Sequence, residues 1–355
     1  MNEQTFANVR LNRSKVQLGI LMLSCLLGLI LLAQPSSGPV RAAPAAGESQ
    51  LGASQSSDGG TFIPIDDPLG VKGTHAWGIN PQGDIVGSYD DADNVRHGFL
   101  LRDGKFMTID NPDGGDGPPG PLGNQGTTLY DINASGDITG RYIDSNNIAH
   151  SFLLRHGVFY PVDPPDAGTA PGQGTQADGI NESGDIVGAY VDSDFIDHGF
   201  LRHGDTYVTI NAPHPGSGRY SGTHAFGINN KREIVLFAND DHSFVLRHGR
   251  LRPLNDPRGV LGTLLEGIND NGVIVGLWVD GNNVSHGLVL CDGVFTTLDD
   301  PHAGSAPGQG GRLNKINPRG DSVGWYTDSD NIDHGFLFKP SDIERAKSAC
   351  SSSTY

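Results

Sequence analysis

The chain has 355 residues, with 24 Lys and Arg against 41 Asp and Glu and a formal net charge of −17. A field of that sign repels nucleic acid and anionic membrane, so neither is expected as a partner, while cations, neutral ligands and proteins remain open. With 51 Gly, 22 Pro and no apolar stripe at helical period, a helical architecture is excluded as well.

Residues 1–45 have the plan of an export signal. Arg10, Arg13 and Lys15 form a basic start, Leu18 to Ala33 is a mostly apolar run, and Ala43-Pro44-Ala45 offers a small-x-small cleavage site. The run is short for a membrane span, so a cleaved signal peptide is expected, with an uncleaved anchor as the alternative. The protein is accordingly expected to be secreted, periplasmic or at the cell surface. Residues 46–60, rich in Ala, Gly, Ser and Gln, read as a flexible leader. Residues 61–340 are expected to form one repeat domain, ample for a buried core. Residues 341–355 form a tail in which Ser341 and Glu344 have capping-box spacing.

Within the domain, Ile-Asn recurs at Asn80, Asn133, Asn181, Asn229, Asn269 and Asn317. Each is followed by His, a small residue, then Phe or Leu, starting at His97, His150, His198, His242, His286 and His334. The asparagines are 53, 48, 48, 40 and 48 residues apart, a period of blades or solenoid units. Copy three shows the unit. Residues 175–181 form a short strand, Glu182-Ser183-Gly184 a tight turn, and 185–190 a second strand. A loop opening at Asp192 leads to a third strand at 198–202, and after His203-Gly204 a fourth runs over 207–210. Four short antiparallel strands per repeat make a β-propeller blade. Pro64, Pro161 and Pro253 all fall in strand four. Proline cannot donate to a ladder, so strand four is expected at the outer edge and strand one along the central channel.

The sixth copy stops at Lys339, and residues 60–68 carry the missing fourth strand ahead of copy one. The expected fold is therefore all-β: a six-bladed β-propeller of four-stranded blades, closed by the N-terminal strand (residues 61–66), which completes blade six. Parity places the 1–2 and 3–4 turns on one face and the 2–3 and 4–1 loops on the other. The long segments 113–126, 166–174, 214–222 and 302–310 all fall on that second face, which makes it the expected binding face.

The pattern Ile-Asn-x-x-Gly-Asp followed by His-Gly-Phe-Leu resembles the bacterial extracellular repeats called the HAF family. The resemblance covers residues 61–339 and recurs six times, with copy four departing most, at Lys231-Arg232-Glu233. It implies export and a repeat fold, and brings no established activity.

A histidine present once per copy cannot converge with its five counterparts on one ion. Each is expected to hydrogen-bond within or between blades, and the repeated asparagines to shape turns. The 2–3 loops gather oxygen donors at Asp91 and Asp93, Asp144, Asp192 and Asp194, Asp280, and Asp328 and Asp330. These read either as Asx-turns or as weak Ca²⁺ sites, Ca²⁺ being the one cofactor the sequence suggests. Cys291 stands where other copies place Arg or Lys. It forms a disulfide with Cys350 in an oxidising compartment, or both stay unpaired.

Function is expected where the copies differ. One strand-one position runs His75, Thr128, Gln176, His224, Leu264, Arg312, and another runs Trp77, Tyr130, Asp178, Phe226, Glu266, Asn314. From these, His75, Trp77, Tyr130, Gln176, Asp178, His224, Phe226, Glu266, Arg312 and Asn314 form the candidate binding set, near the channel mouth on the long-loop face. No nucleophile elbow, zinc-protease motif or phosphate loop occurs. The expected function is a non-enzymatic, monomeric binding scaffold for a glycan or an extracytoplasmic protein. The alternative is a propeller lyase, lactonase or glycan hydrolase using Asp178, Glu266, His75 and His224, with or without Ca²⁺.

Overall fold

The computed structural model describes residues 54–55, 59–213, 218–238 and 242–341. The export segment, most of the leader, the tail beyond Ser341 and Cys350 lie outside the described residues. Among the described residues there is no helix.

Copy one consists of strands Thr74–Ile79, Ile85–Asp90, Arg96–Arg102 and Lys105–Ile109, paired antiparallel in sequence order. The same four-strand unit recurs with first strands at Gly126–Ile132, Gly174–Ile180, Thr223–Ile228 and Gly262–Ile268. The last unit supplies Gly310–Ile316, Ser322–Thr327 and Asp333–Pro340. Its outer neighbour is the leading strand Gly60–Ile65, with Phe62 opposite Phe338 and Ile65 opposite Gly335. This is the pairing expected for residues 61–66. Ser54–Gln55 pairs outside the leading strand, which is therefore not the edge of its own sheet.

The repeated motif explains the packing. The Phe of His-x-Phe becomes Phe99, Phe152, Phe200 and Phe336, all fully buried, with Leu288 taking the place in copy five. Burying each such ring contributes about 1.5–3 kcal/mol. The residue between His and Phe must be small. A Cβ on Gly98 would lie 2.5 Å from the Ile109 carbonyl and 2.8 Å from Leu129 of the next copy. The histidine at the strand's outer end is held by carboxylates and a stacked ring. His97 Nδ1 lies 2.7 Å from Asp110, Nε2 3.4 Å from Asp91, and its ring stacks on Tyr89. His150, His286 and His334 repeat this arrangement, and in His198 Asn211 replaces one carboxylate.

Neighbouring copies are tied together at both faces. On the long-loop face, strand three pairs in parallel with the next strand one at single residues, Arg96 with Gly126, Ala149 with Gly174 and Ser285 with Gly310. On the short-turn face the ties are the asparagines. Each Oδ1 accepts amides of its own turn, as Asn181 does from Ser183 and Asp185. Each Nδ2 donates to the main-chain oxygen of the next asparagine: Asn80 to Asn133, then Asn181, Asn229, Asn269, Asn317 and back to Asn80, at 3.1–3.4 Å.

Two stability outcomes follow from these contacts. Phe62 is 1% exposed and lies between Phe336 and Phe338, 5.1 and 4.9 Å away. Phe62→Ala is expected to cost about 3–5 kcal/mol in denaturant unfolding, and deletion of residues 60–68 to remove the cooperative transition. An unchanged melting curve for the deletion refutes the packing role. Asn181→Ala leaves the amides of Ser183 and Asp185, the second of them buried, without their acceptor and is expected to cost about 1–3 kcal/mol. A loss below about 0.5 kcal/mol, within the range of neutral surface changes, would show the ring of amides to be dispensable.

Candidate functional site

Each first strand packs against the first strands of both neighbours, copy six against copy one included. Every first strand also carries a register shift at one residue. The shifted residue is Trp77, Tyr130, Asp178, Phe226, Glu266 or Asn314. A bulge re-aims its side chain, and here it falls on the position that varies most between copies.

These residues form two linked groups. In the first, Trp77 meets Tyr130 edge-on at 5.4 Å and donates to Ser88. Arg141 lies over Tyr130 and donates to Gln176, whose amide donates to Asp178 at 2.7 Å. Asp178 lies 2.8 Å from His224 Nε2, and His224 stacks on Phe226 at 4.2 Å. In the second, Arg312 donates to Glu266 at 3.1 Å and covers Trp325, which meets His75 edge-on at 4.8 Å. His75 Nε2 lies 3.0 Å from Asp333. Asn314 donates to the Ala76 carbonyl across the junction of copies six and one.

The electrostatics follow from burial. Burial opposes a charge on His224, but Asp178, by its charge and hydrogen bond, outweighs this and raises the pKa above the ordinary histidine value. Burial raises the Glu266 carboxyl against the pull of Arg312 and Lys315. The proposed acid/base set is therefore divided among partners: Asp178 with His224, Glu266 with Arg312, and His75 with Asp333. Four buried polar atoms in this region have no hydrogen-bond partner: His75 Nδ1, Arg141 Nε, Asn314 Oδ1 and Trp325 Nε1.

The opposite ends of the first strands hold a feature that sequence reasoning missed. Two residues before the repeated asparagines the copies read Gly78, Asp131, Gly179, Gly227, Gly267 and Lys315. The glycines are needed where strands crowd the axis. A Cβ on Gly227 would lie 2.7 Å from the Glu266 carbonyl. Asp131 accepts amides from Ile132 and Ile180, and Lys315 donates to the carbonyls of Phe226 and Glu266. Burial pushes the Asp131 carboxyl up to about 6, against the attraction of Lys315. The two residues line a cavity of about 530 Å³, counting its part open to solvent, on the short-turn face. None of the ten candidate binding residues lines it. The signal was a column of glycines broken twice by opposite charges.

The 2–3 loops are built as turns. The first aspartate of each accepts two amides through Oδ1, as Asp91 does from Asp93 and Val95. Asp144, Asp192, Asp280 and Asp328 repeat this, and their Oδ2 atoms face the repeat histidines. Asp93, Asp194 and Asp330 supply the amides. Among the described residues no three His, Cys, Asp or Glu side chains converge as for a metal ion. Cys291 is disulfide-bonded; Cys350, the partner expected from the sequence, lies outside the described residues. Position 291 also has a pairing logic. Arg102 binds Asp84 and Arg155 binds Asp137 on adjacent strands, while copy five has Cys291 and Val273 at the two matching sites.

No family model matches this chain. No curated protein sequence matches it either. Among solved structures, AofleA from Arthrobotrys oligospora is similar at a TM-score of 0.51 and 14% identity, covering 81% of this chain and 89% of that one. A fucose-recognising, six-bladed β-propeller lectin from Aleuria aurantia is similar at a TM-score of 0.42 and 11% identity, covering 74% and 90%. The likeness to AofleA is one of fold.

The histidine clamps make stability depend on pH. Hydrogen bonds donated to Asp163 raise His150 and those donated to Asp66 raise His334; in His97, burial opposes the charge but Asp110 and Asp91 outweigh it. A raised histidine stabilises fully below its unfolded pKa of about 6.5, and that contribution is lost as pH climbs through the folded value. Hydrogen bonds from turn amides and histidines overcome burial and lower Asp192 and Asp328. Their contribution is full above about pH 4 and lost as pH falls through the depressed values. The melting temperature is expected to peak in mildly acid buffer and to fall from pH 6 to 8, with His150→Gln flattening that fall. A steady rise from pH 5 to 8 contradicts the assignment.

Proposed function

We propose that this protein is an exported, monomeric binding scaffold of HAF-type repeats that holds a glycan on its long-loop face. The scaffold is a six-bladed propeller closed by residues 60–65. The asparagine circuit and the pairing of the leading strand with Asp333–Pro340 support that closure. The export reading rests on residues 1–45 of the sequence, and the reading assigns no cofactor.

The observation that carries the ligand class is a set of unpaired polar atoms beside the bulge residues, Asn314 being the one bulge residue among them. Buried polar groups without partners are rare. Here His75, Arg141, Asn314 and Trp325 hold unpaired donors and an acceptor just below the surface, which a ligand meets once a neighbouring side chain moves aside. A sugar hydroxyl donates and accepts at once, so a hydroxyl-rich ligand suits this mixture better than an apolar protein surface. Trp77, Tyr130 and Phe226 provide ring faces and edges beside it. Binding is favoured over catalysis because the carboxylates and imidazoles are divided into separate pairs.

Chromatography on a panel of immobilised oligosaccharides, fucosylated ones among them, tests this reading. Retention is expected on at least one, weakened at least about tenfold by Trp77→Ala or Gln176→Ala, about 1.4 kcal/mol. Absence of retention across the panel overturns it. Turnover of a panel sugar that disappears in Asp178→Asn would replace it with the enzymatic reading.

A further inference from the structure

The 2–3 loops and the following 4–1 loops meet through two residues in the left-handed backbone region. In copy two the pair is Asn147 (φ 61°) and Gly172 (φ 85°), joined by Gly172 N donating to the Asn147 carbonyl at 2.8 Å. In copy five it is Asn283 (φ 64°) and Gly308 (φ 88°), joined in the same way at 2.7 Å. Asparagine and glycine are the residues that tolerate this region at least cost. Copies one and six likewise place Asn94 and Asn331 at the first position.

Copy three breaks the rule at both positions. Phe195 (φ 62°) stands at the asparagine site and Tyr220 (φ 60°) at the glycine site, with Tyr220 N donating to the Phe195 carbonyl at 2.6 Å. A bulky residue in the left-handed region is strained by about 1–3 kcal/mol, and such strain clusters at functional sites. The two rings meet edge-on at 5.8 Å. Arg219, exposed in the same loop, lies 3.7 Å from the centre of the Phe195 ring and 5.1 Å from that of Tyr220. Its Nη2 reaches the Tyr220 hydroxyl at 3.3 Å. Both rings are half-buried, and they stand on the face that gathers the long loops. Folding alone is served by Asn and Gly here, as copies two and five demonstrate. The aromatic pair and its guanidinium therefore call for a second role.

We propose that Phe195, Arg219 and Tyr220 form a sugar-binding subsite for a pyranose with adjacent hydroxyls. The aromatic pair offers an apolar surface for the C–H face of the sugar ring. The guanidinium, oriented by stacking, presents its fork of N–H donors to neighbouring hydroxyls. The subsite rests on the reading that the long-loop face binds a glycan, and it adds a place on that face away from the channel.

The test returns copy three to the residues of its own repeat. Wild type, the double variant Phe195→Asn/Tyr220→Gly and the single variant Arg219→Ala are compared for melting temperature and for retention on the same oligosaccharide panel. The subsite predicts that the double variant melts at or above the wild-type temperature. It also predicts that both variants lose at least tenfold in retention of a sugar the wild type holds. Retention equal to wild type in both variants overturns the subsite and leaves glycan binding at the channel mouth standing. A double variant that melts lower and binds less, with Arg219→Ala binding normally, shows the cluster to be structural and overturns it too. A wild type retained by no sugar overturns both the subsite and the reading beneath it.

Discussion

The amide of each repeated asparagine bonds in two directions, back into its own turn and sideways to the next copy. The turn fixes where the side chain sits, and the sideways bond fixes where the neighbouring first strand must be. Each bond contributes only about 0.5–1.5 kcal/mol net, but each is buried, so breaking one leaves groups that water does not reach. The circuit returns from Asn317 to Asn80, so a displacement in one copy is passed to the next. The crowding that demands glycine beside the axis, and the bulges above it, are consequences of holding six strands this close.

A second constraint acts at the rim. The His-x-Phe element places one ring in the core between copies and one imidazole between carboxylates at the loop end. The small residue between them lets the next copy approach. Copy four shows how the plan absorbs a deviation. Arg232 takes a left-handed position (φ 57°) that is glycine in the other copies, yet its guanidinium reaches Asp185 of copy three at 2.7 Å. Copy five shows another, losing both members of an ion pair together at Val273 and Cys291.

The strand order, the face of the long loops and the roles of the repeated His and Asn were legible because repetition averages away local noise. A residue seen six times at one offset is a geometric instruction. The pairing of residues 61–66 was legible for the same reason, as an absence in copy six matched by a surplus in front of copy one. The bulges were not legible, because an extra residue in a strand leaves no trace in alternation when both faces are buried. Asp131 and Lys315 are not legible as a pair, because in the sequence each is a single departure from a glycine column, 184 residues apart, and only the fold sets their charges against each other. The aromatic pair at Phe195 and Tyr220 needed backbone angles to be seen, although Phe195 already stood out in a column of asparagines.

The register between Gly60–Ile65 and Asp333–Pro340 also governs how the molecule can come into being. Its contacts join residues as far apart as Asp66 and His334, 268 positions along the chain. Contacts of that separation form late, since loop-closure entropy must be met before they return anything. A chain emerging from its N-terminus shows its first strand long before the matching strand exists. The leading strand, paired only to Ser54–Gln55 on its other side, must therefore wait for its long partner through the appearance of five whole repeats. Its proline at position 64 removes one donor from the waiting edge, which lowers the chance of capture by a second chain. The time between first and last strand is thus the interval in which this protein is most exposed to aggregation.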